Sequence, residues 1–363
     1  MPWRSKVLSA ALVALLGTVL CGGFGSTRQA AYAAETWDIQ VSGDPAWAIT
    51  SYAFWPATLA IHAGDTVRWS FFSGVDRHTV TFTPDGAALA KYLPGPVDGE
   101  YTFGPAWYPA GPAVPDGIFD AGRVMSSGVI FGVDPPVYSL TFSTEGVFTY
   151  ACQIHPGMQG TITVLSGSAA LTENPMQARQ RGLAALDGSV AALQSRITAA
   201  ATGDERAQEG VAAPRAEEPA VHAVLAGLSD SAGAGALAYF PAALTVRRGD
   251  VVRWTNGNDF TEHTITLPSG MRPPDYPAVG RSGVPFLMLE AGVGRPSGEG
   301  SYAGQGYLNS GLLQPRASFE LTVDAPPGTY QYVCLLHREQ MRGTITVTDD
   351  SPKQKTRALA RFP

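Results

Sequence analysis

The sequence predicts an all-β protein: two β-sandwiches in tandem, joined by a partly helical linker. Three observations carry that reading. First, 41 Gly and 28 Pro accompany 45% hydrophobic residues over 363 positions, a composition of many short strands and turns. Second, one block is written twice with a period near 183 residues. Third, apolar residues inside each block alternate with polar ones, as strands with one buried face require.

The repeat is visible residue by residue. Phe54-Trp-Pro-Ala-Thr-Leu-Ala-Ile-His-Ala-Gly64-Asp65-Thr-Val-Arg-Trp69 answers to Phe240-Pro-Ala-Ala-Leu-Thr-Val-Arg-Arg-Gly249-Asp250-Val-Val-Arg-Trp254. His78-Thr-Val-Thr matches His263-Thr-Ile-Thr, and Ser127-Gly128 matches Ser310-Gly311. A period this long is a duplicated domain, since solenoid repeats are far shorter. Leu59 and Ile61, Val67 and Trp69, Val80 and Phe82, Leu140 and Phe142, and Leu321 and Val323 each keep the period of two. Gly64-Asp65 between two such runs reads as a hairpin-type turn, and several strands with alternating faces pack as a sandwich.

The expected organisation is a signal peptide at 1–34, a first domain at 35–165, a linker at 166–220, a second domain at 221–348 and a flexible tail at 349–363. Arg4 and Lys6 precede an apolar run from Val7 to Leu20, and Ala31-Tyr-Ala33 offers a small-x-small cleavage site. An exported protein follows, periplasmic, cell-envelope or secreted. The run is short for a membrane span and lacks a stop-transfer pattern, although a retained anchor is the alternative. Lipidation at Cys21 is a further alternative, disfavoured by Leu20 before it.

In the linker, Leu183, Leu186, Val190, Leu193 and Ile197 form one apolar helical stripe, which predicts a helix over 175–199. Asn174, Pro175 and Gln177 make a capping box at its start, while Gly182 and Gly188 weaken the helix. The stripe docks on a sandwich or on a second chain. Residues 201–220 are charged and small, and read as flexible. Long Gly/Pro/aromatic insertions occupy roughly 84–126 and 268–309. Their aromatics (Tyr92, Tyr101, Phe103, Trp107, Tyr108) either shape a docking surface or pack the loop onto the sandwich. His62 and His222 read as surface residues, and Met125, Met271 and Met288 as packing.

The net charge is −6, which leaves no nucleic-acid footprint. Removal of 1–34 takes away Arg4, Lys6 and Arg28 and no acid, leaving 22 basic against 31 acidic residues, a net of −9. Such a product favours redox partners with a basic docking patch and salt-sensitive association.

The chemistry sits in two nearly identical words: Cys152-Gln-Ile-His155-Pro-Gly-Met158-Gln-Gly160 and Cys334-Leu-Leu-His337-Arg-Glu-Gln-Met341-Arg-Gly343. Each puts a thiolate, an imidazole and a thioether in one tight turn between two strands, a soft set that suits copper. His78 and His263 complete the sets, so that two imidazoles and a thiolate form a trigonal group with a distant Met. Two copper ions per chain are expected: His78, Cys152, His155 and Met158 at site 1, and His263, Cys334, His337 and Met341 at site 2. One copy losing its copper is the main alternative. A disulfide between Cys152 and Cys334 would require equivalent loops of separate domains to meet.

On these residues the chain resembles two tandem cupredoxins, the family of plastocyanin, amicyanin and azurin, over roughly 45–165 and 221–348. The first turn is similar to the short amicyanin loop; the second is one residue longer. The resemblance implies Greek-key sandwiches, copper held through Nδ1 of both histidines, and electron entry at an exposed edge of His155 and His337. Thr79 and Thr264 stand where many family members have Asn, so the hydrogen bonding to the thiolate is open.

The function that follows is an exported electron carrier of the blue (type 1) copper kind, not an enzyme. Copper buffering or delivery is the alternative, and a copper-dependent oxidoreductase the remoter one. Ala151 and Gln153 flank Cys152, Val333 and Leu335 flank Cys334, and no His-x-His occurs. With four of six histidines used, too few remain for a catalytic copper cluster. No Met- or His-rich run suited to delivery is present, and no Gly-x-Ser-x-Gly elbow.

Overall fold

The computed structural model describes residues 33–41, 49–71, 76–94, 101–110, 116–129, 137–202, 219–268, 278–279, 287–289, 291–298 and 300–348. The chain divides into Met1–Ala33 and Ala34–Pro363. The expected signal peptide up to Tyr32, most of 201–220, Met271 and the tail at 349–363 lie outside the described residues.

Each repeat folds as a pair of sheets around its own core. In the first, Thr36–Val41 runs parallel to Thr66–Phe71, which pairs antiparallel with Val137–Thr141. The facing sheet orders Thr58–His62, Gln159–Leu165, Gly146–Ala151, Thr81–Phe82, Met125–Ser127 and Pro109–Ala110. In the second repeat, Val221–Ser229, Val251–Asn256 and Ser318–Val323 build one sheet. Ala243–Arg247, Arg342–Thr348, Gly328–Val333 and Thr266–Leu267 begin the other. The alternation read from sequence is the reason: Trp37, Ile39, Val67 and Trp69 face one core, and Val224, Val252, Trp254 and Leu321 face the other, all fully buried.

The same aromatic joint locks both sandwiches. Tyr150 stands edge-on to Trp69 at 5.3 Å, and Tyr332 edge-on to Trp254 at 5.5 Å. The cross-strand partners of these tyrosines are Gly160 and Gly343. A Cβ at either glycine would lie 2.3 or 2.2 Å from the tyrosine ring, so the glycine closing each Met-x-Gly is required by the ring beside it.

Several expectations are revised. Thr58–His62 and Thr66–Phe71 lie in different sheets, so Gly64-Asp65 is a crossover and not a hairpin. The Asp65 carboxylate explains it, because it accepts from His62 N, Glu35 N and Trp37 Nε1 at 2.8–3.0 Å and so ties the turn to the first strand. His62 is buried, its Nε2 2.8 Å from the Ala169 carbonyl, and not on the surface. His222 is half-buried, with Nε2 2.8 Å from Asp250 Oδ2.

The helix extends to Thr202 and docks on its own chain. Asn174 and Gln177 exchange side-chain-to-backbone hydrogen bonds of 2.9 and 3.0 Å, the expected capping box. Gly182 assists the helix in place: a Cβ there would lie 2.5 Å from Pro56 N, so only glycine lets the helix approach Trp55-Pro56. Leu193 is fully buried against Ile49, Leu228, Ala234 and Ala236, drawn from both repeats.

The repeats are therefore interlocked. Ile49–Ser51 belongs to the first repeat by sequence but extends a sheet of the second, pairing antiparallel with Ala234–Phe240. Likewise Tyr101–Phe103 of the first insertion pairs with Leu287–Leu289 of the second. The insertion aromatics largely pack: Phe103 and Trp107 join the first core, and Tyr101 packs beside Val293 and Leu335 of the second repeat. Met125 is fully buried as expected, while Tyr108 is exposed. The side chain of Met288 lies outside the described residues.

Candidate metal centres

Both sites assemble at the same place in their sandwiches. Strand Gly146–Ala151 delivers Cys152 at its end, the turn presents His155, and Met158 leads into Gln159–Leu165. The Cys152 N–H donates to the Met158 carbonyl (2.9 Å), and the Cys334 N–H to that of Met341 (3.0 Å), so each word closes on itself. The extra residue of the second turn is taken up by a short 3-10 helix, Arg338–Gln340. His78 arrives just before Thr81–Phe82, and His263 is held by a bridge to Leu313.

The structure brings together His78, Cys152 and His155 in one group and His263, Cys334 and His337 in another, all buried, with ligand atoms within 4.8 Å of one another. Nδ1 of His78 and Nδ1 of His155 are 3.1 Å apart, and Cys152 Sγ is 3.6 Å from the latter. At site 2 the two Nδ1 atoms are 3.2 Å apart, with Cys334 Sγ 3.9 Å from that of His263 and 3.4 Å from that of His337. Two imidazole nitrogens and a sulfur converging on one enclosed point could together hold a cation. Triangles of this size suit bonds of about 2.0 Å to nitrogen and 2.3 Å to sulfur. The residues thus fit a soft metal ion such as copper. Met158 and Met341 are buried in the same clusters as their cysteines. Both cysteines are free, so no disulfide joins the repeats.

The Thr residues after the first histidines answer the open question about the thiolate. The Thr79 and Thr264 N–H groups donate to Cys152 Sγ and Cys334 Sγ, each at 3.4 Å. Their hydroxyls accept from Gln153 N (2.9 Å) and Leu335 N (2.8 Å), tying each ligand loop to its partner strand.

Burial alone would raise both thiols, but the imidazoles beside them prevail. His155 and His78 hold Cys152 well below the usual thiol range, and His337 and His263 do the same for Cys334. Burial would lower His155, yet Asp76 and Cys152 push it up to about 9. His337 is also raised, against burial, by Cys334 and then Asp76. His263 is lowered, chiefly by burial. In each metal-free site the thiol and the turn imidazole shift in opposite directions, each favouring the other's charged form.

The outer edges of His155 and His337 depart from expectation. The resemblance implied an exposed edge on each; instead the rings are 3% and 7% exposed and turned into the seam between the repeats. Asp76 lies there, its Oδ2 3.3 Å from His155 Nε2 and 4.0 Å from His337 Nε2. Burial would raise the Asp76 carboxyl, but the histidines, His155 first, hold it far below the carboxylate range. Tyr52 packs edge-on to His155 at 5.0 Å and stacks on Phe260 of the second repeat at 5.1 Å. Lys91 and Glu262 form an ion pair across the seam at 2.8 Å. A cleft of about 30 Å³ beside these groups has room for a water or two. Asp76 and Tyr52 escaped sequence reasoning. The one available signal was asymmetry, since the position two before the histidine is Asp76 in one copy and Thr261 in the other.

Residues 226–348, the second repeat, match the family of copper binding proteins described as the plastocyanin/azurin family. None of the curated proteins compared matches the chain. Among solved structures, an oxidised methionine-to-lysine variant of amicyanin is 21% identical, covers 38% of this chain and 90% of its own, and has a TM-score of 0.22. A reduced tryptophan-to-tyrosine variant of amicyanin gives the same four values. Fold, repeat and site together define the class: two cupredoxin-like sandwiches in tandem, each with a potential copper site, the second matching the model of a copper-binding family.

Proposed function

We propose that the chain is a two-site electron carrier of the type 1 copper kind, with copper held by His78, Cys152 and His155 and by His263, Cys334 and His337. Met158 and Met341 serve as weak axial ligands. The carrying observation is the pair of Nδ1–Nδ1 contacts of 3.1 and 3.2 Å, each with a buried thiolate beside it. Copper bound there would supply a one-electron couple between its two common oxidation states. The residues do the remainder. Flanking strands hold the three donors in place, the Thr N–H groups stabilise the thiolate, and burial keeps out exchanging ligands.

Retention rather than catalysis or delivery is supported by the enclosure of the donors and by a cleft with room for water alone. Among the described residues no further group of three metal-seeking side chains occurs, and no helix is long and apolar enough to cross a membrane. We assign the chain to the exported compartment on its N-terminal pattern, and its partners to redox proteins with a basic patch.

The test is reversible reduction of copper-loaded protein. One electron per site should bleach an intense thiolate-to-copper band, and one equivalent of ferricyanide per site under argon should restore it; nitrite or oxygen offered with excess reductant should not be turned over. Steady consumption of either substrate would overturn the carrier reading. Rapid loss of copper to a soluble chelator would do so in favour of delivery.

A further inference from the structure

We propose that Asp76 is a shared positioning residue that joins the two sites into one coupled unit across the seam between the repeats. The inference rests on the reading above, that both sites hold copper, and adds a residue outside either ligand set. Three observations carry it.

First, a single carboxylate oxygen, Asp76 Oδ2, is 3.3 Å from His155 Nε2 and 4.0 Å from His337 Nε2, the outer edges of the two turn histidines. Both rings offer Nδ1 to their own site, so Nε2 carries the hydrogen that faces the carboxylate. One acid thereby stands at ion-pair distance from a ligand histidine of each repeat. Second, the acid is held there. Its side chain is 11% exposed, and its other oxygen accepts the Arg77 N–H at 2.8 Å. Third, the seam around it is built and not incidental. The Tyr52 hydroxyl takes a hydrogen bond from Asn258 at 3.3 Å, and Lys91 pairs with Glu262. Ile49–Ser51, just before Tyr52, crosses into the second repeat's sheet and pairs with Ala234–Phe240.

A negative charge next to a metal-bound imidazole favours the more positive, oxidised metal. Because this charge faces both rings, it lowers the reduction potential of both sites, and more at site 1, where the contact is shorter. A change of charge at either site is also felt at the other through the shared anchor.

The experiment replaces Asp76→Asn in three full chains loaded with copper: unaltered, Cys334→Ser with site 1 alone, and Cys152→Ser with site 2 alone. Spectroelectrochemistry should show the potential rising in both single-site chains, more for site 1, with Asp76→Glu restoring most of the shift. A rise at site 1 with none at site 2 would overturn the proposal, as would equal shifts from Asp76→Glu and Asp76→Asn. A parallel measurement on metal-free protein follows ring nitrogen shifts of His155 and His337 by NMR. Asp76→Asn should move Nε2 of both. If neither site ever takes up copper, the function reading fails, and this NMR arm still decides whether Asp76 touches both rings.

Discussion

The first and second repeats hold the same three metal-seeking side chains in nearly the same triangle, yet the carboxylate that faces the turn histidine of both comes from the first alone. Nδ1–Nδ1 separations differ by 0.1 Å, 3.1 against 3.2 Å, and both thiolates accept a Thr N–H at 3.4 Å. Around these shared parts the repeats diverge. Asp76 has Thr261 at its counterpart, the second turn has an added 3-10 helix, and Trp37, which bonds Asp65, is replaced by His222 on Asp250. Duplication preserved what binds and relaxed what surrounds it. On the proposed carrier reading these surroundings would tune each site's potential, and unequal sites follow.

The sharpest way to break the comparison is through the element that touches both repeats. Leu193→Ala removes a fully buried side chain from a cluster built by both, and should cost about 2–5 kcal/mol. Denaturant unfolding should stay a single transition moved to lower concentration. Two separated transitions would show that the repeats fold independently. A smaller and symmetric effect is expected at the aromatic joints. Gly160→Ala and Gly343→Ala each press a methyl onto a tyrosine ring, at a cost of about 1–3 kcal/mol. Thermal melts of the two variants should fall by similar amounts; a large inequality would mean that one joint is looser than its distances indicate.

The smallest expected effect is no effect. In metal-free protein, His155 is raised from 6.5 to about 9, so its contribution is full below pH 6.5 and lost as pH rises through about 9. Cys152 is depressed from 9.0, so its contribution is full above pH 9 and lost as pH falls through its lowered value. Between 6.5 and 9 the folded pair and the unfolded pair each hold one proton, and the two slopes cancel. Below 6.5 the unfolded chain takes up a second proton and stability drops. Melting temperature against pH should therefore rise to about 6.5 and then run flat to about 9 from this pair. A continued rise across that window would mean that His155 is neutral beside its thiolate.

Much of this architecture was legible in the sequence because the signals were local. Alternation at Val67 and Trp69 marked a strand, Asn174 and Gln177 marked a helix start, and Cys-x2-His with an upstream His-Thr marked a metal group. What stayed hidden depended on how the copies meet. Ile49–Ser51 looks like any short strand, and nothing in those three residues says that it pairs with the other repeat. The burial of His155 and His337 and the role of Asp76 arise at the same seam, from residues far apart in the chain. Gly182 misled for a related reason. Its helix-weakening propensity is local, while the backbone of Pro56 that demands a glycine lies over a hundred residues away.

The most direct test of the central claim is a copper(II) titration of the mature-length chain, followed by the thiolate-to-copper band and by metal analysis. Two like sites predict an intense colour that grows linearly and breaks at two equivalents, and at one equivalent in Cys152→Ser and in Cys334→Ser alike. A chain that stays colourless, or that breaks at one equivalent and loses everything with a single cysteine, would contradict the two-site account.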